Sequence, residues 1–175
     1  MNMDKEMPKR KPLRIKNYDY STPGAYFITF CTHNRKNTLA KLVGAIHESP
    51  EMQFTEEGRI IDQIINSIPE RIPGAIDRYV IMPNHVHLLI RLYGDCKGTE
   101  KSASDENRRS FLSKVVGYIK MNASKEIRKR NRNTEVWQRG YHDHVIRNQQ
   151  DYDMIYKYIV NNPKQWELDR LYSIE

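Results

Sequence analysis

The stretch MPNHVHLLI, Met82 to Ile90, constrains the fold of this chain more than any other. Tyr79-Val80-Ile81 lie just before it and Leu88-Leu89-Ile90 close it, two apolar runs split by Pro83-Asn84. Runs this short and this close read as neighbouring strands joined by a tight turn. In the second strand alternate side chains share a face. His85 and His87 therefore point the same way, about 7 Å apart at their Cα atoms, while Val86, Leu88 and Ile90 face a core. The histidines are expected near a strand end, open to a ligand.

The rest of the chain supplies what such a hairpin packs against. AYFITFCTH, residues 25–33, is β-branched and aromatic enough for a first strand after the Pro23-Gly24 turn. Residues 42–54 form two short strands around Glu48-Ser49-Pro50. Thr55 caps a helix with Ile60, Ile61, Ile64, Ile65 and Ile68 on one face, which Pro69 stops. Ile76 to Met82 is the next strand, followed by the histidine strand to about Leu92 and a polar loop over 93–107. A basic helix starts near Arg108 and buries Phe111, Leu112, Val115, Val116 and Ile119. VWQRGYHDHVI, residues 136–146, is strand-like and leads into a last helix over about 149–161, ended by Pro163. The order is that of a single α+β domain, an antiparallel ferredoxin-like sheet with helices packed on it. Three parts are expected: a basic N-terminal segment (1–24), a catalytic domain (25–165) and a C-terminal tail (166–175).

Charge narrows the partners. The 29 Lys and Arg outnumber the 22 Asp and Glu by seven, and the excess is clustered. Residues 108–132 carry nine basic side chains and one acid, Glu126, and a second basic stretch runs through Lys9-Arg10-Lys11, Arg14 and Lys16. Single runs of this kind are often solvated helix faces. Two in one small domain with eleven tyrosines point to a polyanion, nucleic acid first. Arg14, Lys16, Tyr18, Lys114, Lys120 and Arg139 are the expected phosphate contacts, with Trp137 stacking on bases. No apolar run reaches the roughly 18 residues of a membrane span. Cys31 and Cys96 lack metal-type spacing and suit a reducing cytoplasm, where the protein is expected beside the nucleoid.

The pair at 85 and 87 is the chemical feature. It is either a solvated pair on an edge strand or two imidazoles converging on one cation. Tyr158 and Asn162 lie one turn apart on the last helix, so Asn162 can add an amide oxygen and Tyr158 a phenol beside the ion. Two imidazoles and an amide oxygen, with places left for water and phosphate, suit Mg²⁺ or Mn²⁺ better than a closed zinc site. His142 and His144 form a rival pair. Tyr141 and Tyr156 are rival phenols, each with a valine four residues on.

His-hydrophobic-His on a strand and a late Tyr-x-x-x-Asn helix resemble the HUH single-tyrosine transposases of small insertion sequences. Closer still is the resemblance to REP-associated tyrosine transposases. It runs through YDYSTPGAYFITFCTHNR, YVIMPNHVHLLIR, VWQRGYHDHVIRN and YIVNNPKQWELD in order. The resemblance implies a divalent metal on His85 and His87 with Asn162 as third ligand, and Tyr158 as nucleophile. It further implies single-stranded DNA cut near hairpins and rejoined through a 5′-phosphotyrosine, in a homodimer paired by an edge strand, with a tyrosine helix that can serve its own histidines or the partner's. The alternatives are a domesticated, non-mobile nucleic-acid-binding protein of the same fold and a metal hydrolase in which water attacks.

Overall fold

In the computed structural model the described residues are 18, 22–44, 51–71, 75–93 and 110–174. Arg14, Lys16, Cys96, Arg108 and Arg109 lie outside them, as does the polar loop after Tyr93. Four strands make the main antiparallel sheet: β1 (Gly24–Cys31), β4 (Ala75–Ile81), β5 (His85–Leu92) and β6 (His142–Ile146), in the order β4-β5-β1-β6. A small hairpin of β2 (Ala40–Val43) and β3 (Glu51–Phe54) precedes α1 (Glu56–Asn66). The one-turn α2 (Ile68–Arg71), α3 (Phe111–Arg128) and α4 (Gln149–Asn161) complete the elements. β1 and β4 run parallel with β5 between them, the split β-α-β arrangement expected of a ferredoxin-like chain.

Helices cover both faces of the sheet. Tyr26, Ile28 and Phe30 of β1 and Val86, Leu88 and Ile90 of β5 pack with the isoleucines of α1 and the apolar stripe of α3. Leu89 faces the other way, onto Ile155 and Ile159 of α4. The histidine face is therefore buried under a helix rather than open, and His85 and His87 are 0% and 3% exposed.

Local chemistry sets the boundaries. The Thr55 hydroxyl accepts from Gly58 N–H and caps α1, as its sequence implied. Pro69 lies within α2 rather than ending the isoleucine helix: α1 has already closed at Ser67, and Ile68 stays buried. Residues 136–141 do not continue β6. Lys120 Nζ donates to the Gln138 and Gly140 carbonyls (2.6 and 2.8 Å), which removes ladder acceptors, and Gly140 turns at φ 82°. Only Trp137 keeps a bridge, to Thr32. β1 sits between β5 and β6, so it offers no edge to a second subunit; β6 does.

Candidate metal centre and nucleophile

The register of β1 on β5 builds the site. Thr29 pairs with His87 and Cys31 with His85. The Thr29 hydroxyl stands 2.7 Å from His87 Nδ1. At the hairpin turn Asn84 is fully buried; its Nδ2 donates to Leu171 O (2.8 Å) and Ser173 Oγ (3.0 Å). That fixes Asn84 Oδ1 toward His85 Nδ1, 2.8 Å away, so Nδ1 carries the proton and His85 Nε2 presents a bare lone pair. The two Nε2 atoms face each other at 3.0 Å. Two nitrogens each about 2.1 Å from one ion, at roughly a right angle, have that separation. Holding each imidazole by its other nitrogen is how proteins orient metal-binding histidines.

A carboxylate completes the group. His85, His87 and Asp169 place one ligand atom each within 4.8 Å of one another, a set able to hold a divalent cation. Asp169 Oδ2 accepts from Tyr158 Oη and from Asn162 Nδ2, both at 2.8 Å, and Oδ1 accepts from Leu171 N–H at 2.6 Å. Tyr158 Oη also lies 3.3 Å from His87 Nε2 of the same chain. Phe27 holds both rings, 5.0 Å from the His87 ring and 6.0 Å from that of Tyr158. Asn162 is buried, and its Oδ1 has no hydrogen-bond partner. An orphaned buried acceptor on a side chain bonded to Asp169 fits a cation better than an empty apolar pocket.

Electrostatics agree with that donor set. Burial pushes His85 down to about 4; Asp169 partly offsets this and Arg35 adds to it. Burial, then His85, holds His87 well below the ordinary value. Both imidazoles are neutral at pH 7, the form in which histidine can bind a metal. For Asp169 burial acts upward, but the hydrogen bonds from Leu171, Asn162 and Tyr158 together outweigh it and keep the group ionised. Tyr158 is raised by burial and then by its bond to Asp169, so the phenol keeps its proton until something takes it.

The other expected residues separate into two groups. Lys120 donates to backbone carbonyls, and Trp137 donates to Lys120 O and packs edge-on to Phe30 at 5.1 Å, so both are half-buried and tied to the fold. Tyr18 packs on the core beside Tyr26. Lys114 and Arg139 are exposed. His144 pairs with Asp151 at 2.9 Å on the surface and His142 is exposed, so the second pair does not converge. Tyr141 is bonded to Ser113, and Tyr156 to Arg78. Asp169, Asn84 and Thr29 were not among the expected site residues. The sequence sign nearest Asp169 is Trp166, a large aromatic residue three positions before it, here buried against His85 at 5.9 Å.

No family model matches the chain. By structure it resembles "Structure of the REP associates tyrosine transposase bound to a REP hairpin", with a TM-score of 0.57 at 19% identity, covering 94% of this chain and 77% of that one. A putative transposase from Deinococcus radiodurans aligns at a TM-score of 0.46 and 15% identity over 85% of this chain and 97% of that one. The class is thus an α+β domain with the fold of a REP-associated tyrosine transposase, carrying a His-x-His and carboxylate group. By sequence the chain is 33% identical over 172 residues to an "Uncharacterized protein" of Haemophilus influenzae, with 93% of each covered. It belongs to the family of that protein.

Proposed function

We propose that this protein is a metal-dependent tyrosine nuclease and strand transferase acting on single-stranded DNA beside hairpins. The observation that carries the proposal is Tyr158 Oη at 3.3 Å from His87 Nε2, next to the paired Nε2 atoms and Asp169. A phenol has no structural need of two buried imidazoles; a nucleophile for a phosphodiester does.

His85, His87 and Asp169, with the Asn162 oxygen as a fourth candidate, would hold Mg²⁺ or Mn²⁺. The bound ion supplies Lewis-acid polarisation of the scissile phosphate. Everything else falls to the chain. Asn84 and Thr29 keep both Nε2 atoms inward. Phe27 and the α4 backbone fix the phenol. Asp169 Oδ2 receives the phenolic proton as Oη bonds to phosphorus. The P–O3′ bond breaks, the leaving oxygen takes a proton from water as a 3′-hydroxyl, and Tyr158 keeps the 5′-phosphate. Reversal with another 3′-hydroxyl rejoins DNA without an external energy source. Of the basic residues expected to contact DNA, Lys114 and Arg139 are described and exposed to meet the backbone, and β6 is one of the two edge strands open to a homodimer.

The test is incubation with Mn²⁺ and labelled hairpin DNA carrying a single-stranded flank, followed by a denaturing gel. A covalent band is expected, absent in Tyr158→Phe. A band that survives this substitution, or that maps to Tyr141 or Tyr156, refutes the assignment.

A further inference from the structure

One cavity is lined by none of the candidate metal or nucleophile residues, and nothing in the proposed cleavage uses it. It has a volume of about 500 Å³ and lies between the end of β1, the start of α1 and the segment that follows α3. Ile127 and Val136, both buried, form its apolar lining. Asn34, Asn131, Asn133, Glu57 and Glu135 supply amides and carboxylates around that lining. Among the described residues the three asparagine side chains have no hydrogen-bond partner, and Glu135 meets only His33, at 3.0 Å.

Backbone geometry marks the same wall. Asn34 and Arg35 are the only non-glycine described residues with positive φ, 54° and 56°. Arginine adopts that conformation at a cost, so the surrounding bonds must hold it. They do: Thr32 Oγ1 donates to Lys36 O at 2.8 Å, and Arg35 N–H donates to Thr32 O at 3.1 Å. Thr32 N–H in turn donates to the carbonyl of Asn84, the residue that orients His85. The wall of the cavity and the histidine shell are thus one hydrogen-bonded unit, and the charge of Arg35 is felt at His85.

We propose that this cavity receives one unstacked nucleobase of the single-stranded flank, and selects a base with an exocyclic amine. The proposal rests on the nucleic-acid reading above. The size suits a small planar ligand. The two carboxylates repel a phosphate but accept from N–H groups, as Asp and Glu accept from an exocyclic amine. Guanine, adenine and cytosine carry such an amine; thymine does not. The exposed Lys129 and Arg132, near the end of α3, are placed for the flanking phosphates.

The test is anisotropy of fluorescent hairpins whose unpaired flank carries, position by position, each of the four bases or an abasic site. Binding is measured with the full chain, its Glu135→Gln variant and its Asn133→Ala variant. One position should lose about tenfold in affinity on change to thymine or an abasic site. In both variants that discrimination should shrink below about twofold, with affinity for the abasic hairpin unchanged. Discrimination that persists in both variants overturns the proposal, and so does its absence in the parent, including absence of binding. The covalent band on Tyr158 is scored on the same hairpins. Base selection without a band keeps the pocket and removes the nuclease; a band without selection does the reverse.

Discussion

Two neutral imidazoles sealed under α4 make the fold acid-sensitive, by an amount that follows from the site. In the unfolded chain His85 takes a proton near pH 6.5. In the folded protein burial delays this to about pH 4. The folded pKa is the lower one, so stability is complete above about pH 6.5 and is lost as pH falls through the window toward 4. At about 1.4 kcal/mol per pH unit the full loss from His85 is on the order of 3 kcal/mol, and about 2 kcal/mol of it has gone by pH 5. His87 moves in the same direction. A domain of this kind has roughly 5–15 kcal/mol in total, so the effect is large. The assay is urea unfolding followed by circular dichroism at pH 7.5 and pH 5, in the parent and in a His85→Gln, His87→Gln double variant. With an m-value near 2 kcal/mol/M, the parent midpoint should drop about 1 M more than that of the double variant. Using the difference removes the other carboxylates and histidines that titrate in both proteins. Parallel losses in the two proteins would refute the argument that these imidazoles are held neutral by burial. Saturating Mn²⁺ at pH 7.5 should raise the parent midpoint alone, because only an intact site binds the folded state.

Two further outcomes follow from the packing. Gly58→Ala places a Cβ far inside contact of the Leu39 carbonyl oxygen, which already accepts from Thr55 N–H and its hydroxyl; a loss of about 1–3 kcal/mol is expected in the same urea assay. Tyr158 reaches its own histidines, and α4 is clasped to its own sheet by Arg78 on Tyr156 and by Asp77 and Arg91 on Tyr152. A mixture of His87→Ala and Tyr158→Phe chains should therefore form no covalent DNA band, and recovery of one would show the tyrosine helix serving a partner.

The fold was legible because each strand and helix announces itself locally. The isoleucine spacing of α1, the Pro-Asn turn before His85 and the β-branched run of β1 all carry their own structural reason. What misled was residues 136–141, whose strand-like composition is overruled by a single long side chain. Lys120 crosses from α3 to take the carbonyls of Gln138 and Gly140, a tertiary contact with no local trace. The same contact ties up the Lys120 ammonium, which its charge alone would have placed among the phosphate contacts.

The site was legible in half. Period two put His85 and His87 on one face, and one helical turn linked Tyr158 to Asn162; both are short-range regularities. Asp169 is eleven residues from Tyr158 and reaches it only because Asn162–Leu168 winds as a 3₁₀ segment that buries Trp166 and brings the chain back. No periodicity encodes such a return. The tail then goes on to bond Asn84 through Leu171 O and Ser173 Oγ, so the residue that sets the tautomer of His85 is itself set by the end of the chain. The segment set apart as a tail thus enters the site twice, as the source of one candidate ligand and as the support of another. Substitutions at Trp166 should weaken metal binding without touching any ligand, since burial of that ring is what returns Asp169 to the histidines.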